Sequence, residues 1–185
     1  MMKRCTSILL IAVVAVLAGC ASPARIDQMT ISPDALKTAP NDSPLKQAIG
    51  IKSVTGGKDT NPMWVSNIFS SDFERALESS LRAAGFLSPV RSAGRFQLTA
   101  DLIRVDQPMF GFDMTVSATV RYSIVEQATG KEIFSRNIPT SFTATVSNAF
   151  VGAERLKLAN EGAVRNNFAA LIDELTRLGI QVSLK

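Results

Sequence analysis

The sequence contains no histidine. That excludes a Ser-His-Asp triad, a Cys-His nucleophile pair and any imidazole-ligated metal centre. Cysteine is almost as scarce. Among 185 residues only Cys5 and Cys20 carry a thiol, and Cys5 lies in an apolar leader. A chain that loses this leader has no second thiol with which to form an internal disulfide. The leading apolar run, Ile8 to Ala18, has 11 residues, too short for a membrane span, which needs about 20. Basic blocks and basic–aromatic interleaving are missing, which argues against nucleic acid as a partner. The formal charge is +4, and removal of Lys3 and Arg4 with the leader leaves 18 basic residues against 16 acidic ones. Repeats and low-complexity tracts are missing as well. These absences point away from an enzyme: no catalytic residue, metal site or cofactor is expected, and only chemistry built on carboxylates alone survives the exclusion.

What is present begins at the amino terminus. Met1-Met2-Lys3-Arg4 is a short positive start, followed by the apolar run and then Gly19-Cys20. A charged start, an apolar core of this length and small residues at its end make a secretory signal. Leu17-Ala18-Gly19-Cys20 resembles the lipobox of bacterial lipoprotein precursors. The resemblance implies that the Cys20 thiol takes a diacylglyceryl group, that the chain is cut before it, and that the new terminus is N-acylated. A thiolate is a good nucleophile for such a thioether. Cys20 is therefore expected to be an anchor, its covalent lipid being the one attached group. Ala21 and Ser22 follow it. The missing aspartate at the next position leans, by analogy with enteric lipoproteins, towards the periplasmic face of the outer membrane.

Three segments follow from composition: a signal peptide over 1–19, a lipidated cysteine with a proline-rich tether over 20–46, and one periplasm-facing domain over 47–185. Pro23 to Pro44 holds four of the eight prolines, as an extended tether would; Arg25 to Ser32 reads as a short docked strand. Ala48 to Gly57 reads as a first strand. Ser71-Asp72-Phe73-Glu74 fits a capping box, and Phe73, Leu77, Leu81 and Ala84 then share one helical face, closed by Gly85. Glu78 and Arg82 are a supporting i,i+4 pair. Phe96, Leu98, Ala100 and Leu102 alternate inward on a second strand. Met114, Val116, Ala118, Val120, Tyr122 and Ile124 do so on a third. Thr129-Gly130 is a hairpin turn, and Pro139 in the fourth strand argues for an edge position or a bulge. Val164, Phe168, Leu171, Ile172, Leu175 and Leu178 form the stripe of a last helix ended by Gly179. Lys157 and Glu161 fall on the same stripe, so a bend at Gly162, or a projecting first half, is expected. Ile180 to Leu184 reads as a short terminal strand. The fold class is α+β: an antiparallel sheet of about four strands with two helices on one face, in the order β-α-β-β-β-α.

A lipobox, a proline-rich stretch, a strand, "TNPMWVSN…FERALESSLRAAGFL", a meander with "TGKEIF" and a long final helix together resemble the YajG-type small lipoproteins. In topology these are similar to the LPS-assembly lipoprotein, to transporter-auxiliary lipoproteins and to the TolB amino-terminal domain. The resemblance covers Ile49 to about Leu178. It implies a non-enzymatic binding or assembly role in the cell envelope, with the membrane reached through the lipid and an envelope protein as partner. The alternatives are a carrier of an apolar lipid or glycolipid held between helices and sheet, and a transporter-auxiliary role.

Candidate interaction residues are few. Thr55 to Thr60, "TGGKDT", fails the P-loop pattern, since Lys52 stands where a glycine is needed and Asp59 where serine or threonine is needed. Asp106 to Met114, "DQPMFGFDM", carries Met109, Phe110 and Phe112 in a turn, where polar residues are usual. Either these side chains fold back over the open end of the core, or they form an apolar tip for a partner protein or a lipid. Trp64, the sole tryptophan, reads as a staple onto the first helix or as an interface anchor. Asp101, Asp106 and Asp113 read as solvated carboxylates. Asn160, Glu161, Arg165, Asn166 and Asn167 read as a solvent-facing helix surface, with an interaction surface as the other reading.

Overall fold

The computed structural model describes residues 22–57 and 67–183. The elements in chain order are α1 (Ile26–Met29), a 3-10 turn (Pro33–Ala35), β1 (Ile49–Thr55), α2 (Ser70–Ala83), β2 (Phe96–Asp106), β3 (Met114–Glu126), β4 (Glu132–Ala144) and α3 (Gly152–Ser183). The four strands lie side by side in sequence order. The fold is α+β, with one correction to the expected sheet: β1 pairs parallel with β2, while the other pairs are antiparallel. The cause is the helix between them. α2 carries the chain back to the end from which β1 started, and a strand entered there must run the same way.

Alternation along the strands decides which face is covered. The four inward residues expected on β2 and the six on β3 are all buried. Thr115, Ser117 and Arg121, on the opposite face of β3, are exposed. Side chains one apart point to opposite faces of a strand, so one face packs and the other meets water. β4 has a single sheet neighbour and carries Pro139 opposite Thr119, where the missing N–H costs no second ladder. α2 buries Phe73, Ala76, Leu77, Ser80 and Leu81. Phe73 meets Phe168 of α3 edge-on, with centroids 4.9 Å apart. Gly85 follows α2 with φ +76°, the left-handed conformation that ends a helix at little cost to glycine. The Glu78–Arg82 pair closes at 2.6 Å. The capping box does not form. The N-cap lies two residues earlier, at Phe69, without a side-chain cap. The Ser70 hydroxyl instead accepts the Gly57 N–H at 3.0 Å, and Glu74 pairs with Arg91.

The proline-rich stretch is a second correction. From Ser22 it forms an arm laid along the helices rather than a tether, and its expected short strand is the helical turn α1. Ala24, Met29, Ile31, Ala39 and Leu45 are buried in the common core. Burying these side chains offsets the entropy of ordering the arm. Pro33 opens the 3-10 turn between two of these buried positions, Ile31 and Ala39.

α3 runs unbroken through both glycines and through the expected terminal strand, reaching Ser183. Gly162 marks a close approach: a Cβ there would lie 2.3 Å from the Phe142 ring on β4. Gly179 likewise faces Ser43 of the arm, 2.2 Å from where its Cβ would be. The first half of α3 does not project, because the arm covers the face turned away from the sheet. Lys157 and Glu161 are therefore buried under it, while Asn160 is buried beside Gln107 and Asn167 against the sheet. Asn160, Glu161 and Asn167 thus depart from the expectation of a solvent-facing surface; Asn166 is exposed and Arg165 half-buried. Asn167 accepts the Tyr122 hydroxyl at 2.8 Å and donates to the Ile138 carbonyl at 2.7 Å. Burial pushes the Tyr122 hydroxyl pKa well up.

Candidate functional site: an apolar tip beside the arm

Two loops and the two ends of a third connection gather at the end of the sheet where β2 finishes and β3 begins. The 107–113 turn joins β2 to β3, and residues 145–151 lead from β4 into α3. The third connection leaves this end at Gly57 and returns at Asn67, as Gly57 bonds Ser70 and Asn67 bonds Ala24. Trp64 falls between them, outside the described residues, as do Leu17, Ala18, Gly19 and Cys20.

Arg155, in the first turn of α3, rivets the first two loops together. Its side chain is buried, with one terminal nitrogen donating to the carbonyls of Ala149 at 2.8 Å and Phe150 at 2.6 Å. The other reaches the Gly111 carbonyl at 3.4 Å. Gln107 donates to Asn160 at 2.8 Å and holds the base of the turn to α3. Thr145 and Asn148 brace the second loop, the side-chain oxygen (Oδ1) of Asn148 accepting the Thr145 N–H at 2.8 Å. A guanidinium that satisfies several carbonyls at once fixes their relative positions.

On this scaffold Met109, Phe110 and Phe112 point into solvent, exposed to 93%, 85% and 87%. They do not fold back over the core. Met114, Ala144 and Leu156 already close that end and are buried. Phe150 joins the three at 89% exposure, with Val151 at 53%. Sequence reasoning missed this pair, although "SNAFVGA" carries the same signal as "PMFGF": large apolar residues in a loop beside glycine. The two loops thus present three phenylalanines and a methionine at one end of the domain. Contiguous apolar exposure of this kind marks a contact surface.

Among the described residues the charges around the tip balance. Arg104 pairs with Asp106 at 2.6 Å, and Lys157 with Glu154 at 2.7 Å. Arg155 and Asp113 complete an even set. Asp101 accepts the Thr55 hydroxyl at 2.9 Å and belongs to the β1–β2 ladder rather than to the tip.

The arm reaches the same end. The backbone N–H of Arg25 and its guanidinium both donate to Glu161, at 2.9 and 3.0 Å, and this carboxylate raises the Arg25 pKa. Arg165 donates to the Gln28 carbonyl at 2.5 Å, and Lys157 to the Ser22 hydroxyl at 3.2 Å. Read from Gln28 to Ser22, the arm climbs α3 towards the tip. The space between helices and sheet is filled by Phe73, Phe168, Tyr122 and Leu171, which argues against an apolar ligand held there.

No family model matches the chain, and no curated protein matches it. Solved structures do. A Xanthomonas campestris protein of family DUF330 is 13% identical, covering 80% of this chain and 95% of its own, with a TM-score of 0.57. A proposed lipoprotein of Caulobacter crescentus is 11% identical over 71% of this chain and 89% of its own, with a TM-score of 0.49. A minor lipoprotein of Acinetobacter baumannii is 15% identical over 76% and 94%, with a TM-score of 0.41. At such identities the likeness to the Xanthomonas protein shows one thing, a shared α+β fold.

Proposed function

We propose that this chain is a lipid-anchored accessory protein of the bacterial cell envelope, of the YajG type, which works by binding an envelope protein rather than by catalysis. Leu17-Ala18-Gly19-Cys20, placed directly after a charged start and an apolar run, carries the reading. Two or more acyl chains hold a protein stably where one does not. Among the described residues no helix is long and apolar enough to cross a membrane, so the acyl chains on Cys20 would supply the attachment. The residues after Cys20 favour the outer membrane, with the domain on its periplasmic side. Confinement to a surface raises the effective concentration of a binding domain near membrane partners.

Intact mass measurement of the protein extracted from membranes tests the anchor. The expected terminus is Cys20 bearing a diacylglyceryl group and an N-acyl chain, and Cys20→Ser is expected to leave the membrane fraction. A free Cys20 thiol or a different terminus refutes the anchor. Density-gradient separation of the two membranes tests the location, and sedimentation with the inner membrane refutes it.

A further inference from the structure

The geometry points to a second membrane contact: Met109, Phe110, Phe112 and Phe150 insert into the headgroup and upper acyl region of the bilayer that holds the Cys20 lipid. This rests on the anchor reading above and adds to it the orientation of the domain.

Chain length supplies the first reason. Ser22 is tied to Lys157, and Arg25 to Glu161. Cys20 stands two positions before Ser22, and two extended residues span at most about 7 Å. Lys157 lies five positions into α3 from Gly152, a rise of about 7.5 Å. The acylated residue is therefore confined to the neighbourhood of the α3 amino terminus, beside the loop of Phe150 and Val151. A domain on so short a lead presents that end to the headgroups. The carbonyls that Arg155 binds place the 107–113 turn at the same end.

Chemistry supplies the second. Phenylalanine and methionine on an otherwise polar surface suit shallow insertion, to a depth of about 5–10 Å. Among the described residues the neighbouring charges form an even set, with two pairs closed on themselves. Apolar burial rather than attraction to anionic lipid then drives the contact, so it is indifferent to headgroup charge.

Photo-cross-linking of the full acylated chain tests this, with benzoylphenylalanine placed singly at Phe110 and Phe150 and, as control, at Arg82. The protein is reconstituted in vesicles of phosphatidylethanolamine, with or without phosphatidylglycerol, and probed in cells as well. Phospholipid adducts at 110 and 150 are expected at about ten times the control yield, in line with shallow insertion, and equally in both vesicle types. A discrete protein adduct at these positions in cells, without lipid adduct, overturns the proposal in favour of a protein-docking tip. A yield no higher than at Arg82 overturns it too, as does one that requires phosphatidylglycerol. Mass measurement of Cys20 in the same samples separates the two failures. An acylated Cys20 without lipid adducts sinks the insertion alone, whereas an unmodified Cys20 sinks both.

Discussion

Gly162→Ala isolates the approach of α3 to the sheet. An alanine Cβ would lie 2.3 Å from two ring atoms of Phe142 and 2.8 Å from a third. Carbon atoms pack best at about 3.5–4.0 Å, so the overlap exceeds 1 Å by the lower bound. The nearest atoms are at the root of the ring, so a small tilt of its tip does not relieve the clash. Either Phe142 leaves its rotamer or α3 rides away from β4. Overpacking of this kind costs about 1–3 kcal/mol. Better helix propensity returns up to about 1 kcal/mol. A net loss of about 1–2 kcal/mol is expected, read as a lower urea midpoint with unchanged slope. In a domain of this size it lowers Tm by about 2–8 °C, at 2–4 °C per kcal/mol. Phe142→Ala removes the obstacle, so the double variant is expected to lose less than the sum of the two single losses. The reasoning is refuted if Gly162→Ala matches or exceeds the parent, or if the two changes add within about 0.5 kcal/mol, the scatter of independent sites.

The remaining predictions concern buried polar groups. Tyr122 is the only tyrosine in the chain. Its raised pKa means that the folded state holds the proton where an unfolded chain releases it, near pH 10. Its contribution to stability is present below that pH and is lost as pH rises towards the folded value. Absorbance at 295 nm is expected to show no phenolate until the protein unfolds; earlier titration contradicts the burial. Asn167→Leu strands the Tyr122 hydroxyl and the Ile138 carbonyl and is expected to cost about 2–4 kcal/mol in urea unfolding, each orphan costing about 1–3 kcal/mol less partial relief. Arg25→Met leaves Glu161 buried without its cation. Complete burial of both groups would set the loss at about 3–5 kcal/mol, but Arg25 is 46% exposed, and solvent screening lowers it to about 1–3 kcal/mol. Arg25→Met/Glu161→Met is expected to recover most of the loss; a double variant no more stable than the single one contradicts a penalty from the stranded charge.

Local patterns carried much of the architecture. Alternation in β2 and β3 set the buried face residue by residue, because a strand's neighbours on one face share one environment. Pro139 marked the edge strand for a backbone reason independent of context. What stayed hidden depends on distant partners. Glu161 and Lys157 read as exposed because their covering, Arg25 and Ser22, lies about 135 positions away. Gly162 and Gly179 read as a bend and a stop, since no local signal separates a helix-breaking glycine from one that admits a neighbour. The parallel pairing of β1 required knowing where α2 delivers the chain. At the tip, Met109, Phe110 and Phe112 were legible as anomalies of a turn, but Phe150 lies in another loop, 38 positions beyond Phe112, and Arg155 ties the two together through contacts that no local pattern announces.

The docking of the arm on α3 also sets an order of events during synthesis. Arg25 emerges from the ribosome 136 residues ahead of Glu161. Until the last helix has been made, the arm lacks the carboxylate and the side chains that pin it. On the anchor reading proposed above, an enzyme that needs Cys20 in an extended strand has the interval before the fold closes in which to reach it. Chain topology alone opens that interval, and a protein allowed to fold first would offer such an enzyme a cysteine two residues from a locked surface.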